Sequence, residues 1–266
     1  MILSAFKYAA KKYRRWFAIL FLTFLVYSSF QVVLSKLLYA VLANVPLTET
    51  TSLIFGSLYE QIAAILSYPL AIGLVRIFQH LHDDHRFDFN LIFADFKSIK
   101  RLGRAWLLGL LCVGIQTLID FTGNLIGGGA FQQMPFISGM LSAAFSIFIF
   151  LVPYLYVEYE GQKSAFKIWK DSFKISSKHI GSVGGMALLS TLAVVLVGTY
   201  GRLFLNGVFG EKDIGVILTL VIYSVFMAML MVFTETAKYG FSRLLIKEES
   251  EDELLGLPPL EKKEDE

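Results

Sequence analysis

The sequence predicts an all-α fold: a polytopic transmembrane helical bundle of six spans, with two cytoplasmic amphipathic helices and a parallel internal repeat. Three observations carry this reading. Of 266 residues, 55% are hydrophobic and only 17% charged, and the mean hydropathy is +0.60, which leaves too little polar surface to wrap a water-soluble core of this size. Apolar runs that meet the roughly 20 helical residues needed to cross a hydrocarbon layer recur along the chain. Lysine and arginine crowd into alternate connections, with 21 of 24 on what becomes one side of the bundle.

Span one runs from Trp16 to about Leu42. The preceding Lys7, Lys11, Lys12, Arg14 and Arg15 resemble a charged leader, but the twenty residues from Trp16 to Ser35 carry no charge. That exceeds the apolar region of about 7–15 residues in a signal peptide, so this segment is expected to remain as a span. Span two extends from about Ser52 to Leu74 and stops before Arg76. Span three covers about Ala105 to Ile126 and ends at Gly127, Gly128 and Gly129, where glycine marks a turn. Span four runs from about Phe136 to Val157, span five from about Ile180 to Leu205, and span six from about Ile214 to Phe233, with helix continuing through Tyr239 and Arg243. The chain therefore divides into a six-span domain, 1–247, and an acidic, solvated cytoplasmic tail, 248–266. That tail holds nine of the 22 acids, opposed only by Lys262 and Lys263, and leaves a body of 22 bases against 13 acids. A basic body in lipid favours anionic headgroups and makes nucleic acid an unsuitable partner.

The positive-inside rule places both termini in the cytoplasm. Trp16, Trp106 and Trp169 all fall at that same boundary, where amphipathic rings settle among headgroups. Cys112 is the sole cysteine, so the chain forms no internal disulfide.

Two connections on the basic side are amphipathic. In residues 89–102, Phe89, Ile92, Phe93, Phe96, Ile99 and Leu102 recur at helical spacing, with Asp88, Asp95, Lys97 and Lys100 mostly elsewhere on the wheel. In the second, Lys163, Lys167, Lys170, Lys174 and Lys178 form one basic stripe, and Phe166, Trp169 and Phe173 occupy another face. Such a helix lies in the interface, with its lysines on anionic phosphates, or presents an ordinary solvated charged face, or packs under the bundle. The segments also look like copies: Tyr68-Pro69-Leu70 precedes IFADFK, and Val152-Pro153-Tyr154 precedes IWKDSFK. This suggests a span-helix-span unit used twice.

FADFK, AFKIWKDSFKISSK, the proline in span four and the closing FTETAKYGFSRLL together resemble uncharacterised bacterial six-span integral membrane families. These are similar to the membrane domain attached to some glycerophosphodiester phosphodiesterases. The resemblance covers roughly residues 10–247 and implies a bacterial inner-membrane protein. It brings no catalytic residue, because the phosphodiesterase catalytic domain has no counterpart here.

Lys36 and Glu60 are candidate intramembrane charges, placed at matching depth on either side of the first turn. They are expected to pair, either to fix helix register or to serve a proton or substrate. Asp120 and Arg202 form a second candidate group near the opposite face, with snorkelling of Arg202 the simpler account. Glu235 and Lys238 read as a local helical pair. His80, His82 and His85 are weak metal candidates, since their spacing lets no more than two strong ligands converge. No G-x-S-x-G or H-E-x-x-H motif occurs, and no cofactor is implied. Gly181 with Gly185 has the spacing that permits close helix approach or a homo-oligomer. The sequence thus points to a non-enzymatic protein of the cytoplasmic membrane acting through lipids or membrane partners. The alternative is a small transporter or channel with a path between the two repeated units.

Overall fold

A computed structural model describes residues 1–42, 49–83, 87–119, 122, 134–159, 163–209 and 213–251. Among these residues the chain is helical and contains no strand. Helix α1, Ile2–Leu42, holds neither proline nor glycine and runs unbroken through both the charged leader and the first apolar stretch. Helix α2, Glu49–Asp83, carries Pro69 in its interior. A 3₁₀ helix, Phe89–Lys97, leads through Ser98 into α3, Ile99–Gly109, which continues through a π turn at Leu110–Gly114. Helices α4, Met134–Ile149, and α5, Val152–Glu158, form one apolar rod broken at 150–151, with Pro153 in the first turn of α5. There the missing N–H costs nothing. Helix α6, Ala165–Lys178, is capped by Ser164, whose hydroxyl accepts from Lys167 N. Helices α7, Ile180–Phe209, and α8, Asp213–Glu251, complete the order.

Five stretches are long and apolar enough to cross a membrane: Phe17–Val41, Tyr59–Asp83, Ile99–Ile119, Gly139–Glu158 and Ile180–Gly201. A sixth was expected within α8, at 214–233; the side chains of most of its first turns lie outside the described residues. Half of the Tyr59–Asp83 stretch is buried in the protein, against 11% of Phe17–Val41 and 17% of Ile180–Gly201. Helix α2 is therefore central, and α1 and α7 present leucine, valine and phenylalanine outward, as lipid-facing helices do.

Packing is concentrated at the basic end. Ala5 and Ala9 of α1, Ile72 and Val75 of α2, Leu151 to Val157, Ile168 and Ile175 of α6, and Phe241 and Leu245 of α8 form one continuous core. Close backbone approach fixes it. A Cβ on Gly240 would lie 2.6 Å from the Tyr8 ring, and one on Gly109 would lie 2.9 Å from Tyr68 Cβ and 3.1 Å from the Ile65 carbonyl oxygen. That carbonyl is the one Pro69 leaves without its helical donor, and one residue on, Leu66 O accepts from Trp106 Nε1 at 3.2 Å. At the α4/α5 break, Phe148 O accepts from the Ser172 hydroxyl at 2.6 Å. Neighbouring helices thus donate side-chain hydrogen bonds to carbonyls near both prolines. Within the chain, among the described residues, nothing lies within 4 Å of a Cβ on Gly181, and Gly185 meets only the end of the Ile2 side chain.

Two expectations need correction. Span two does not end at Arg76, since α2 continues to Asp83 and Arg76 is 5% exposed. The segment after Asp88 is not an α-helix with Asp95 on its polar face. As a 3₁₀ helix it advances about 120° per residue rather than about 100°, so by Asp95 the α-helical wheel is out of phase. Asp95 turns fully inward with Ile92, while Phe93, Phe96 and Ile99 are exposed.

Candidate functional site

The core at the basic end encloses a buried ion pair. Arg76 Nη2 donates to Asp95 Oδ1 at 2.8 Å, and the Tyr156 hydroxyl lies 3.3 Å from both that oxygen and the Arg101 carbonyl. The guanidinium carbon of Arg76 stands 5.6 Å from the Tyr156 ring centroid. One pair therefore ties α2, the 3₁₀ helix and α5 together. Asp95 Oδ2 is buried with no hydrogen-bond partner among the described residues. Burying an ion costs several kcal/mol even after relaxation, so each partner depends on the other.

A second cluster joins α1, α2 and α8. Tyr8 Oη and His82 Nδ1 are hydrogen-bonded at 2.7 Å, Arg243 Nη1 donates to Tyr239 Oη at 2.9 Å, and Arg243 Nη2 meets Asp83 Oδ1 at 2.6 Å. Burial pushes the Tyr8 hydroxyl up to about 12 and raises that of Tyr239, so both remain phenols at physiological pH.

Above these clusters, between α1, α2, α5 and α8, lies a cavity of about 250 Å³. Its wall carries the rings of Phe24, Tyr27, Tyr68, Phe78 and Tyr154, the bend at Pro153, and the carboxylate-bearing Glu235. Glu235 Oε1 accepts from Lys238 Nζ at 2.7 Å, the local pair that the spacing predicts. Tyr68 and Tyr154 each adjoin a proline, Pro69 or Pro153, and both line the cavity. Chemically the wall is aromatic and carries one acid.

The remaining sequence candidates are distributed as follows. The Tyr39 and Tyr59 rings meet edge-on at 5.5 Å, so α1 and α2 are level where Lys36 and Glu60 were expected to pair. Both of those side chains are nevertheless exposed, and no ion pair joins them. Glu60 follows Tyr59 by one residue and so turns about 100° away from the seam; its Oε1 accepts from the Tyr59 hydroxyl at 3.5 Å. Asp120, the side chain of Arg202, and His85 lie outside the described residues. His82 is engaged by Tyr8, and among the described residues no three potential metal ligands converge.

Lys167, Lys170, Lys174 and Lys178 are exposed along α6. Lys163 departs from the row: it precedes the cap, follows no helical period, pairs with Asp171 at 2.9 Å and lies 3.7 Å over the Tyr159 ring. Of the expected aromatic face, Phe173 stacks on Phe148 with ring centroids 5.0 Å apart, Trp169 packs on Phe173 at 4.5 Å, and only Phe166 is strongly exposed. Helix α6 thus packs under the bundle through Ala165, Ile168, Ser172 and Ile175 and turns its lysines out.

The sequence reading missed Arg76, Asp95, Tyr156 and the cavity wall. Two signals were present: an aspartate inside the apolar run IFADFK, and the adjacent pairs Tyr68-Pro69 and Pro153-Tyr154. No family model, curated protein or solved structure matches the chain. Its class rests on the fold, a helical protein whose several apolar helices are compatible with an integral membrane protein.

Proposed function

We propose that this is a non-enzymatic multi-pass protein of the cytoplasmic membrane, bacterial by its resemblance, with both termini inside, that acts by holding anionic lipids and membrane partners as a scaffold or assembly factor. The observation that supports it best is the row Lys167, Lys170, Lys174 and Lys178, exposed on a helix whose opposite face is sealed onto the bundle. Helix α6 lies between the apolar stretches ending at Glu158 and beginning at Ile180, so both its ends sit at headgroup depth if those stretches span. The exposed Phe93, Phe96 and Ile99, beside Lys97 and Lys100, give the other connection the same amphipathic character. A sixth span within α8 and a duplicated span-helix-span unit belong to this reading. The duplication draws support from matched pairs: Asp95 and Asp171 each follow a buried isoleucine, Ile92 or Ile168, by three residues and each meets a base.

The test is lipid retention. Full-length protein purified in mild detergent should keep anionic over zwitterionic lipid by native mass spectrometry. Changing Lys167, Lys170 and Lys174 to Gln should reduce that preference, each lysine contributing about 1 kcal/mol near an anionic surface. The difference should shrink at high salt. Equal retention of both lipid classes by the wild type would overturn the reading. The cavity favours a second reading, a small transporter, for which flux into proteoliposomes is the discriminating measurement.

A further inference from the structure

We infer that the cavity between α1, α2, α5 and α8 is a binding site for a small organic cation of the quaternary ammonium class. This rests on the cavity alone and requires neither transport nor lipid binding at α6. The wall is lined by Phe24, Tyr27, Tyr68, Phe78 and Tyr154; the face of an aromatic ring carries the negative part of its quadrupole and attracts a cation within about 6 Å. Glu235 supplies the one full charge on that wall, and it is negative. An anion would meet repulsion from Glu235. A neutral apolar guest would gain nothing from the carboxylate, which its pairing with Lys238 already compensates.

Size narrows the occupant. At about 250 Å³ the space falls below the roughly 300–1,000 Å³ of sites for drug-sized molecules, so it suits a headgroup-sized cation. The Glu235 carboxylate has capacity for it. Lys238 engages Oε1 at 2.7 Å, and Oε2 takes no hydrogen bond among the described residues. A quaternary ammonium donates no hydrogen bond and needs only the charge and the ring faces. Lys238 lies outside the wall, three residues along α8 from Glu235, and competes for the same carboxylate. This competition gives the proposal its signature: removing the acid and removing its internal base should act in opposite directions.

The probe is benzyltrimethylammonium, titrated by calorimetry into full-length protein in phosphatidylethanolamine–phosphatidylglycerol nanodiscs, which bring no quaternary ammonium of their own, with empty nanodiscs subtracted. Saturable binding is expected at one site per chain. Glu235→Gln should weaken it at least tenfold, whereas Lys238→Gln should strengthen it several-fold. Retained thermal unfolding of each variant separates loss of the site from loss of the fold. Should Glu235→Gln not fold, the Lys238→Gln arm decides alone. The proposal is overturned if wild type shows no saturable binding, if Glu235→Gln folds and binds unchanged, or if Lys238→Gln weakens binding, since a purely structural pair would make both substitutions harmful.

Discussion

Asp95 has to be explained by what removes its charge from water, and Arg76 is the answer the fold supplies. A buried pair need not stabilise relative to an apolar substitute, but breaking one exposes the full cost of the remaining ion. Asp95→Ala or Arg76→Met alone should therefore lower stability by about 3–5 kcal/mol, and the double variant should lose less than the sum. Thermal unfolding of the four proteins in detergent gives the coupling energy directly, and a coupling near zero would mean the pair is absent in solution. Lys36→Ala and Glu60→Ala, run in the same assay, should instead be additive within about 0.5 kcal/mol, because the two side chains do not meet. The contrast shows what sequence conveys at this scale. Lys36 and Glu60 stand out because they interrupt uniformly apolar stretches, yet their azimuth around the helix sends them outward. Arg76 looks like an ordinary boundary charge, and Asp95, although set in an apolar run, like the polar face of an amphipathic helix; the long-range contact across 19 residues draws both inside.

At the scale of elements, the 3₁₀ helix owes its position to Gly73. A Cβ there would fall 2.6 Å from Ile92 Cα and closer still to its carbonyl oxygen, and backbone cannot swing aside as a flexible side chain can. Gly73→Ala should detach Phe89–Lys97 from α2 and carry Asp95 away from Arg76. Limited proteolysis should then cut between Phe89 and Ser98 in the variant and spare the wild type. Gly103→Ala is the control. No atom lies within 4 Å of its added Cβ, so it should be tolerated or add up to about 1 kcal/mol of helix stability. Equal protection of the Gly73 variant and the wild type would show that the close approach does not hold the segment. The amphipathicity of residues 89–102 was legible in the alternation of Phe and Lys, but its helix type was not, because apolar spacing alone does not distinguish about 3.0 from about 3.6 residues per turn over nine residues. The lysine face of helix α6 was legible from Lys167 to Lys178 in the regular run of bases, whereas Lys163, expected in the same stripe, stands before the first turn. What the pattern left open was the second face, decided by Phe148 and Ser172.

Over the whole molecule, the apolar stretches and the charge asymmetry were readable because bilayer thickness and headgroup charge act on composition rather than on contacts. The cavity was not readable, because four separated segments form it and no one of them has an unusual composition. The core is concentrated at one end, where the amphipathic connections and charged helix ends pack, while the far halves of α1 and α7 leave leucine, valine and phenylalanine exposed. Orientation is then the prediction with the widest consequence, because the lysine row reaches anionic headgroups of the inner leaflet only if the basic end faces the cytoplasm. Cys112 is the only cysteine and is buried, so Cys112→Ala provides a background for single cysteines at Asp84, Gly128 and Glu266. In intact cells a membrane-impermeant maleimide should label Gly128→Cys and spare Asp84→Cys and Glu266→Cys, with all three labelled after permeabilisation. The reverse pattern would place the basic end outside. Labelling of Glu266→Cys together with Gly128→Cys would instead require an odd number of spans between residues 84 and 266, and the sixth span assigned to α8 would have to be withdrawn.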